Sequence, residues 1–163
     1  MAFGTGHHAT TAMIAEYLLT RDISGTSVFD MGCGSGILGI IACKAGAAKV
    51  EMADNDPVAV ASARENILLN NSGNISVYHG GCEILLSGKT DLIVANINRP
   101  VLIDQMPVFY NALNNTGTLV ISGILRTDLT EITSKAESSG FRIKDRVFRE
   151  EWLMLVFSKP ESQ

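Results

Sequence analysis

The sequence predicts an α/β fold in which a mostly parallel, Rossmann-like sheet is closed by an antiparallel hairpin. Three observations support this prediction. Helical and strand patterns alternate along the 163 residues, the strands are short and nearly all apolar, and a glycine-rich loop follows the first strand. Short apolar strands are typical of a parallel sheet that helices cover on both faces. Such an alternation predicts right-handed crossovers within one domain.

Apolar runs and helical periodicity divide the chain into elements. Five short apolar runs predict parallel strands, over residues 27–31, 50–54, 75–79, 91–96 and 118–122. Helical patterns precede these strands or fill the gaps, over residues 10–20, 36–45, 57–70, 101–114 and 127–139. Asp56 and Pro57 suit the N-cap and first position of the helix over 57–70, because aspartate accepts an N–H there and proline lacks one. We therefore interpret Asp56 as a helix cap.

The last two segments, 141–148 and 152–158, predict an antiparallel hairpin, because too few residues join them for a crossover helix. Four basic residues lie along the first of these strands or just after it: Arg142, Lys144, Arg146 and Arg149. Alternating charge is typical of an outer strand that is protected against pairing with another chain. We interpret these residues as edge protection, with a nucleic-acid contact as the alternative.

The composition is typical of one intracellular domain. The length suits a single hydrophobic core, and the mean hydropathy of +0.20 suits a buried parallel sheet. No apolar run approaches a membrane span, and no secretory signal opens the chain. The three cysteines have no C-x-x-C spacing, which argues against a disulfide framework or a zinc site. The net charge of −4 gives no general attraction to nucleic acid, so we expect no nucleic-acid partner. From the apolar runs, the chain start and the cysteines together, we expect a cytoplasmic protein without a membrane partner.

The most informative segment is V-F-D-M-G-C-G-S-G, residues 28–36. A strand reaches Asp30 and then runs into three glycines at alternating positions, Gly32, Gly34 and Gly36. Glycines at this spacing let a ligand approach the main chain, because no Cβ intervenes. The helix that follows directs its first N–H groups at the same place. The segment therefore predicts a cofactor site, and a plain turn is the alternative.

Two details favour S-adenosylmethionine over a dinucleotide as this cofactor. The dinucleotide fingerprint is G-x-G-x-x-G, and Ile37 stands where its third glycine would fall. Asp30 lies just before the loop, where a carboxylate can meet the cationic amino-acid end of S-adenosylmethionine but would repel a pyrophosphate. A dinucleotide-dependent oxidoreductase is therefore the less favoured interpretation.

A second acidic signal lies one strand–helix unit further along the chain. Asp54 ends the strand predicted over 50–54, about 20 residues after the loop. A carboxylate in this position can accept hydrogen bonds from both ribose hydroxyls of an adenosine. We therefore predict that Asp54 binds the ribose of the cofactor.

The segment D-L-I-V-A-N-I-N-R-P, residues 91–100, carries a buried strand to Asn96. Open α/β folds bind their ligands at the carboxyl edge of the sheet, where this strand ends. An amide oxygen there can accept a hydrogen bond from an amine and hold the nitrogen lone pair toward an activated methyl carbon, without a shifted pKa. We predict that Asn96 orients substrate or cofactor, with a side-chain turn before Pro100 as the alternative.

The opening A-F-G-T-G-H-H-A-T-T, residues 2–11, predicts a flexible cover followed by a helix that starts at Thr10 or Thr11. The N-terminus of that helix could face the cofactor. The adjacent histidines, His7 and His8, raise the possibility of a metal site. However, neighbouring side chains rarely chelate one ion, and no nearby cysteine or carboxylate completes a ligand shell. We therefore predict no metal.

Five motifs follow one another along nearly the whole chain: F-G-T-G-H-H-A-T-T, D-M-G-C-G-S-G-I-L-G-I, A-D-N-D-P, A-N-I-N and E-E-W. Together they resemble the ribosomal protein L11 methyltransferase family, PrmA. The resemblance implies the class I methyltransferase fold with S-adenosylmethionine as cofactor. It also implies methylation of amino groups, on lysine side chains or an N-terminal amine, of a large-subunit ribosomal protein.

The same resemblance implies roles for individual residues. Cofactor contacts are implied for Thr11, Gly32, Asp54 and Asn96. A loop over the reacting centre is implied for residues 3–6, with Phe3 and Thr5 joining Asn96 as catalytic-site residues. Arg99 lies outside the motifs, and its role stays open.

Family members carry an N-terminal domain that recognises the ribosomal protein, whereas this chain starts inside the first catalytic motif. We therefore expect residues 1–163 to form the catalytic domain alone, either as a fragment or as a stand-alone enzyme with another target.

One alternative function is a methyltransferase for another amine, such as a nucleobase nitrogen. Such enzymes usually place two prolines and an aromatic residue where this chain has Ile97, Asn98 and Arg99. The second alternative function is a non-catalytic module that binds S-adenosylmethionine.

Overall fold

The computed structural model describes residues 8–161, which form a seven-stranded sheet with helices on both faces. The strands are β1 Ser27–Met31, β2 Lys49–Asp54, β3 Ile75–His79, β4 Thr90–Asn96, β5 Leu113–Leu125, β6 Arg142–Arg149 and β7 Trp152–Ser158. The α-helices are α1 Ala9–Thr20, α2 Ile37–Lys44, α3 Pro57–Leu69, α4 Arg99–Ala112 and α5 Leu129–Ser138. Two short 3₁₀ helices span Cys82–Ser87 and Arg126–Asp128.

The strand order is β3-β2-β1-β4-β5-β7-β6. The first five strands are parallel, and β7 pairs antiparallel with both β5 and β6. This is the predicted parallel sheet with a closing antiparallel hairpin, so the fold class is confirmed. The chain builds outward from β1 to β3 and then crosses back to β4 on the other side of β1. The carboxyl ends of β1 and β4 therefore form the topological switch point where open α/β sheets bind ligands.

Two apolar layers cover the sheet. Phe29 and Met31 of β1 face the layer that contains α4 and α5, whereas Val28 faces the layer built by α1 and α2. β1 is buried on both faces, and Val28, Phe29 and Met31 in it are apolar, as a central parallel strand requires. Of its two polar residues, Ser27 begins the strand and is half-buried, whereas Asp30 is fully buried near the carboxyl end. No helix within residues 8–161 has the length and apolar character needed to cross a bilayer.

The boundary between α4 and β5 differs from the prediction. The predicted helix over 101–114 instead spans Arg99–Ala112, because the Asn98 side chain accepts the Val101 N–H at 3.2 Å and starts the helix earlier. Leu113 already has extended backbone, is fully buried and pairs with Thr90, so the strand begins there. Burial and strand pairing thus extend β5 well beyond the predicted 118–122. The predicted cap of α3 is confirmed, since Asp56 accepts the Val58 N–H at 2.9 Å.

Candidate active site

A cavity of about 360 Å³ opens at the carboxyl ends of β1, β2 and β4, at the switch point of the sheet. Six of the residues predicted from sequence line it: Thr11, Asp30, Gly32, Gly34, Asp54 and Asn96. They come from α1, from three strand ends and from the glycine loop, and span 86 positions of the chain. The fold therefore brings the separate motifs to one site, because parallel strands end at the same edge of the sheet.

The glycine loop needs its glycines for two reasons. Gly32, Gly34 and Gly36 have φ angles of 73°, 55° and 84°, a region that other residues rarely adopt. A Cβ on Gly32 would also lie 2.3 Å from Cγ2 of Ile97, whose side chain packs directly against the loop. The loop is fixed to β2, since the N–H groups of Gly32 and Cys33 both donate to the carbonyl oxygen of Ala53. It therefore presents bare main chain to the cavity in a fixed conformation.

Gly36 lies behind this surface rather than in it. It is the N-cap of α2, it does not belong to the residues that line the cavity, and a Cβ on it would lie 3.1 Å from that of Ala63. Its direct contact with a cofactor stays a prediction. Gly39, which sequence reasoning missed, supplies close packing of the helix: a Cβ there would lie 2.2 Å from Cε of Met52 in β2. The spacing Gly34-x-Gly36-x-x-Gly39 could have revealed it, and it completes the G-x-G-x-x-G pattern. The prediction from Ile37 against a dinucleotide was therefore wrong, and the charge of the cavity has to distinguish the two cofactors.

Asp54 braces the loop as well as lining the cavity. One carboxylate oxygen accepts the Gly34 N–H at 2.9 Å, and the other accepts the Asp56 N–H at 2.9 Å. A carboxylate oxygen can accept two hydrogen bonds, so each retains one acceptor position. Two adjacent acceptor positions match the two neighbouring hydroxyls of a ribose.

Asp30 is a buried carboxyl group at the base of the cavity. It is 1% exposed, and one of its oxygens accepts the Gly39 N–H at 3.1 Å. Burial raises the pKa of Asp30 to about 7, the Gly39 hydrogen bond opposes this rise, and the charge of Asp54 adds to it. A cationic group in the cavity would favour the charged form of this carboxyl group.

Asn96 and Thr11, predicted as separate contacts, form a pair. The Asn96 Nδ2 donates to the Thr11 Oγ1 at 3.1 Å, which turns the amide oxygen away from α1. That oxygen, Oδ1, is buried and has no hydrogen-bond donor among the described residues. Gly123, with φ of 84°, makes room for it: a Cβ there would lie 3.1 Å from Oδ1 and 2.7 Å from the Ile97 carbonyl oxygen. The structure thus holds an amide acceptor in place without satisfying it.

The wall formed by α4 was missed in the sequence analysis. Asn98, Val101 and Gln105 all line the cavity, at the spacing i, i+3 and i+7 that defines one helix face. This spacing was visible in the sequence, but the predicted helix began too late to include Asn98. The side-chain oxygen of Gln105 is buried and, like that of Asn96, finds no donor within residues 8–161. Arg99, whose role was open, forms ion pairs with Asp128 and Glu131 at 3.5 and 3.4 Å.

The remaining predicted catalytic residues, Phe3 and Thr5, lie outside the described residues, as does His7. His8 caps α1 by accepting the Thr10 N–H at 3.3 Å, and its ring packs edge-on against Trp152 at 4.7 Å. Among residues 8–161, no group of three or more histidine, cysteine, aspartate or glutamate side chains could hold a metal ion.

The charge of the cavity selects its ligand. Three carboxyl groups line it, those of Asp30, Asp54 and Asp56, and none of its described lining residues is lysine, arginine or histidine. The thiol of Cys33 adds no nucleophile, because burial and then the charges of Asp30 and Asp54 raise its pKa strongly. Such a cavity attracts a cation and repels a pyrophosphate. The arrangement fits S-adenosylmethionine, whose sulfonium and ammonium groups are both positive, and disfavours a dinucleotide.

Comparisons with known proteins identify the family. The family model described as "Ribosomal protein L11 methyltransferase (PrmA)" matches residues 1–160. A ribosomal protein L11 methyltransferase of Porphyromonas gingivalis is 42% identical over 99% of this chain and 56% of its own length, and one of Clostridium perfringens is 41% identical over 96% and 50%. The chain thus spans about half the length of these relatives.

Solved structures agree with this result. The crystal structure of a ribosomal protein L11 methylase from Lactobacillus delbrueckii subsp. bulgaricus is 32% identical, with a TM-score of 0.88 over 96% of this chain and 81% of that one. A methyltransferase from Pyrococcus furiosus, 21% identical with a TM-score of 0.79, shares the fold. With its motifs in order and the family model matching almost from end to end, this chain belongs to the PrmA family of ribosomal protein L11 methyltransferases.

Proposed function

We propose that this chain binds S-adenosylmethionine in the cavity at the switch point and transfers its methyl group to amino groups of ribosomal protein L11. The observation that carries the proposal is the amide oxygen of Asn96, which is buried, held by the Thr11 contact and without a donor among residues 8–161, in a residue that lines an anionic cavity. Leaving a buried acceptor unsatisfied costs free energy, so such a group is expected to have a partner in the complex. An amine N–H is the partner that this function supplies.

Each end of the cofactor has a candidate binding group in the cavity. We assign the ribose to Asp54, the amino-acid ammonium group to Asp30, and close main-chain approach to Gly32 and Gly34. When bound, S-adenosylmethionine supplies a methyl carbon that is already activated by its sulfonium group. The protein therefore has little chemistry of its own to perform, and its task is to bind, exclude water and aim the nucleophile.

Asn96 would aim the substrate nitrogen. Its Oδ1 accepts one N–H of the neutral amine, which leaves the nitrogen lone pair directed at the methyl carbon for in-line displacement. An ammonium ion has no lone pair, so the substrate amine must give up a proton to the solvent and bind in its neutral form before transfer. The nitrogen–carbon bond then forms as the carbon–sulfur bond breaks, and the bonding electrons stay on sulfur.

The substrate assignment comes from the family, whose members are named for ribosomal protein L11. Because this chain covers about half of those relatives, we propose that residues 1–163 act as the catalytic domain and that a separate recognition domain strengthens binding of the ribosomal protein. A ribosomal substrate also implies the cytoplasm as the compartment.

The test is methyl transfer to purified L11 protein from isotope-labelled S-adenosylmethionine, with modified residues located by mass spectrometry. We expect label on lysine side chains or the N-terminal amine, and a loss of at least about tenfold in rate for Asn96→Ala, since one hydrogen bond to the nucleophile is removed. Thr133→Val, a change in α5 away from the cavity, is the matched control.

Other outcomes separate the alternatives. In a parallel assay with ribosomal RNA as the acceptor, label on a base, with none on L11, would favour a nucleobase methyltransferase. Cofactor binding without transfer to any amine would favour a binding module. Fusion of the part of the Porphyromonas gingivalis relative that this chain does not match, which we propose contains the recognition domain, should raise transfer to L11. Equal turnover by the fused and unfused chains would contradict the proposed role of that domain.

A further inference from the structure

The side chain of Gln105 is a second unsatisfied acceptor in the cavity, and the proposed reaction does not use it. Its Oε1 is buried and has no hydrogen-bond donor among the described residues. Gln105 and Val101 lie on the same face of α4, and this face forms part of the cavity wall. A buried carbonyl oxygen that is unpaired in the protein costs free energy, which a ligand N–H would recover.

The position of Gln105 separates it from the reacting centre. Asn98 caps α4 two residues after Asn96, and Gln105 lies seven residues further along the helix. At 1.5 Å per residue this is a displacement of about 10 Å along the helix axis. One acceptor therefore lies next to Thr11 at the methyl-transfer end, and the other lies deeper along the wall.

The neighbours of Gln105 place it on the β2–β3 side of the cavity. α4 packs against the 3₁₀ helix that follows β3. Asp104, the residue before Gln105, lies near Cys82 of that 3₁₀ helix. The pKa of the Cys82 thiol is raised by burial, then by the charge of Glu83 and then by the charge of Asp104. Gly81, just before this 3₁₀ helix, packs against Asn55: a Cβ added to Gly81 would lie 3.2 Å from the Asn55 Oδ1. Asn55 lines the cavity directly after Asp54. Gln105 thus faces the part of the cavity beyond the proposed ribose site.

We propose that Gln105 recognises the 6-amino group of the cofactor's adenine base. The base would lie between the apolar wall of Ile97 and Val101 and the end of β2, and its amino group would donate to the Gln105 Oε1. An amino group is a donor that a 6-oxo purine lacks, so the contact favours adenine as long as Oε1, and not the amide NH2, faces the base. This inference rests on the proposed function, because it assumes that an adenosine cofactor binds in this cavity.

The experiment is a calorimetric binding cycle with two ligands and three proteins. The ligands are S-adenosylhomocysteine and its analogue in which hydrogen replaces the 6-amino group of the base. The proteins are the unchanged chain, Gln105→Met, which keeps the side-chain length without the amide, and Thr133→Val. Thr133 is the matched control because its hydroxyl is also buried without a partner in the described part of the chain but lies outside the cavity.

We expect Gln105→Met to weaken S-adenosylhomocysteine binding by about tenfold and binding of the analogue by less than about twofold. Thr133→Val should change neither affinity. Equal weakening of both ligands, or no weakening of either, would overturn the contact with the amino group while leaving the proposed function intact. If the unchanged chain, shown to be folded by circular dichroism, binds neither ligand, the proposed function fails together with this inference.

Discussion

Single side chains in this protein link parts of the site that are far apart in sequence. Asp54 joins the end of β2 to the glycine loop through Gly34 and to the start of α3 through Asp56. Asn96 joins the end of β4 to α1 through Thr11. Asp54 also lines the cavity with unused acceptor capacity, and the Asn96 Oδ1 has no donor among the described residues. A substitution at either position therefore removes a ligand contact and a structural contact together, and experiments must separate the two.

The ribose assignment of Asp54 predicts a loss of cofactor affinity in Asp54→Ala. We expect S-adenosylhomocysteine to bind about 1.5–3 kcal/mol more weakly, because hydrogen bonds from two hydroxyls to a charged acceptor are lost. Isothermal titration calorimetry measures this directly, with Glu65→Ala, an exposed carboxylate of α3, as the control. The 2′-deoxy analogue distinguishes ribose binding from bracing of the loop: it should bind more weakly than the parent ligand to the unchanged chain, but equally to Asp54→Ala. Unchanged affinity in Asp54→Ala would remove the assignment.

At the scale of elements, the start of α2 depends on how closely it packs on β2. Gly36 ends the loop with a left-handed backbone, and Gly39 brings the first turn against Met52 and Val50. This turn also donates the Gly39 N–H to Asp30, so the packing of α2 sets the position of the buried carboxyl group. The glycines of residues 32–39 therefore have two roles. Gly32 and Gly34 let a ligand approach the main chain, and Gly36 and Gly39 allow close contact between helix and strand.

Gly39→Ala should destabilise the fold even though alanine is the better helix former. Its Cβ would lie 2.2 Å from Cε of Met52 and 3.3 Å from Cγ1 of Val50, and both of those side chains are fully buried. We expect the free energy of unfolding to fall by about 1–3 kcal/mol, as overpacking of a core typically costs. Urea denaturation measures it, with Gly73→Ala as the control, since a Cβ on Gly73 meets nothing within 4 Å. A Gly39→Ala protein as stable as the parent would mean that helix propensity outweighs packing here.

At the scale of the whole molecule, the sequence was sufficient to predict the sheet and the groups at its carboxyl edge. Asp30, Asp54 and Asn96 could be found because each follows a run of buried strand residues, and parallel strands end together. Gln105 was missed because the predicted helix began at residue 101, so the face that Gln105 shares with Val101 and the Asn98 cap was not identified. The α4–β5 boundary was also beyond local patterns, since only the pairing of Leu113 with Thr90 makes that residue a strand.

Asp30 should make the stability of the unliganded protein depend on pH. Its pKa is raised from 3.8 to about 7 in the folded state, so between these values the folded chain holds more protons than the unfolded one. The free energy of unfolding must therefore fall as pH rises through this window. Asp30→Asn removes the effect and should be more stable than the parent by about 2–4 kcal/mol at about pH 8, with the difference shrinking toward about pH 4.

Urea denaturation of both proteins across this pH range tests the prediction. Asp104→Asn, which removes a carboxylate that stays solvated on α4, is the control. A constant difference between Asp30→Asn and the parent would show that the buried carboxyl group is not titrating in this window. A stabilising Asp30→Asn that also weakens S-adenosylhomocysteine binding would show that the charge is kept for the ligand at a cost to the fold.

The most direct test of the account is a calorimetric titration of this chain with S-adenosylhomocysteine, with NADH as the comparison ligand. The anionic cavity, the unsatisfied Asn96 oxygen and the bare main chain at Gly32 and Gly34 predict saturable binding of S-adenosylhomocysteine and none of NADH. Binding of NADH alone would contradict the assignment of the glycine loop. Binding of neither ligand by a folded chain would contradict the claim that residues 1–163 hold a complete cofactor site.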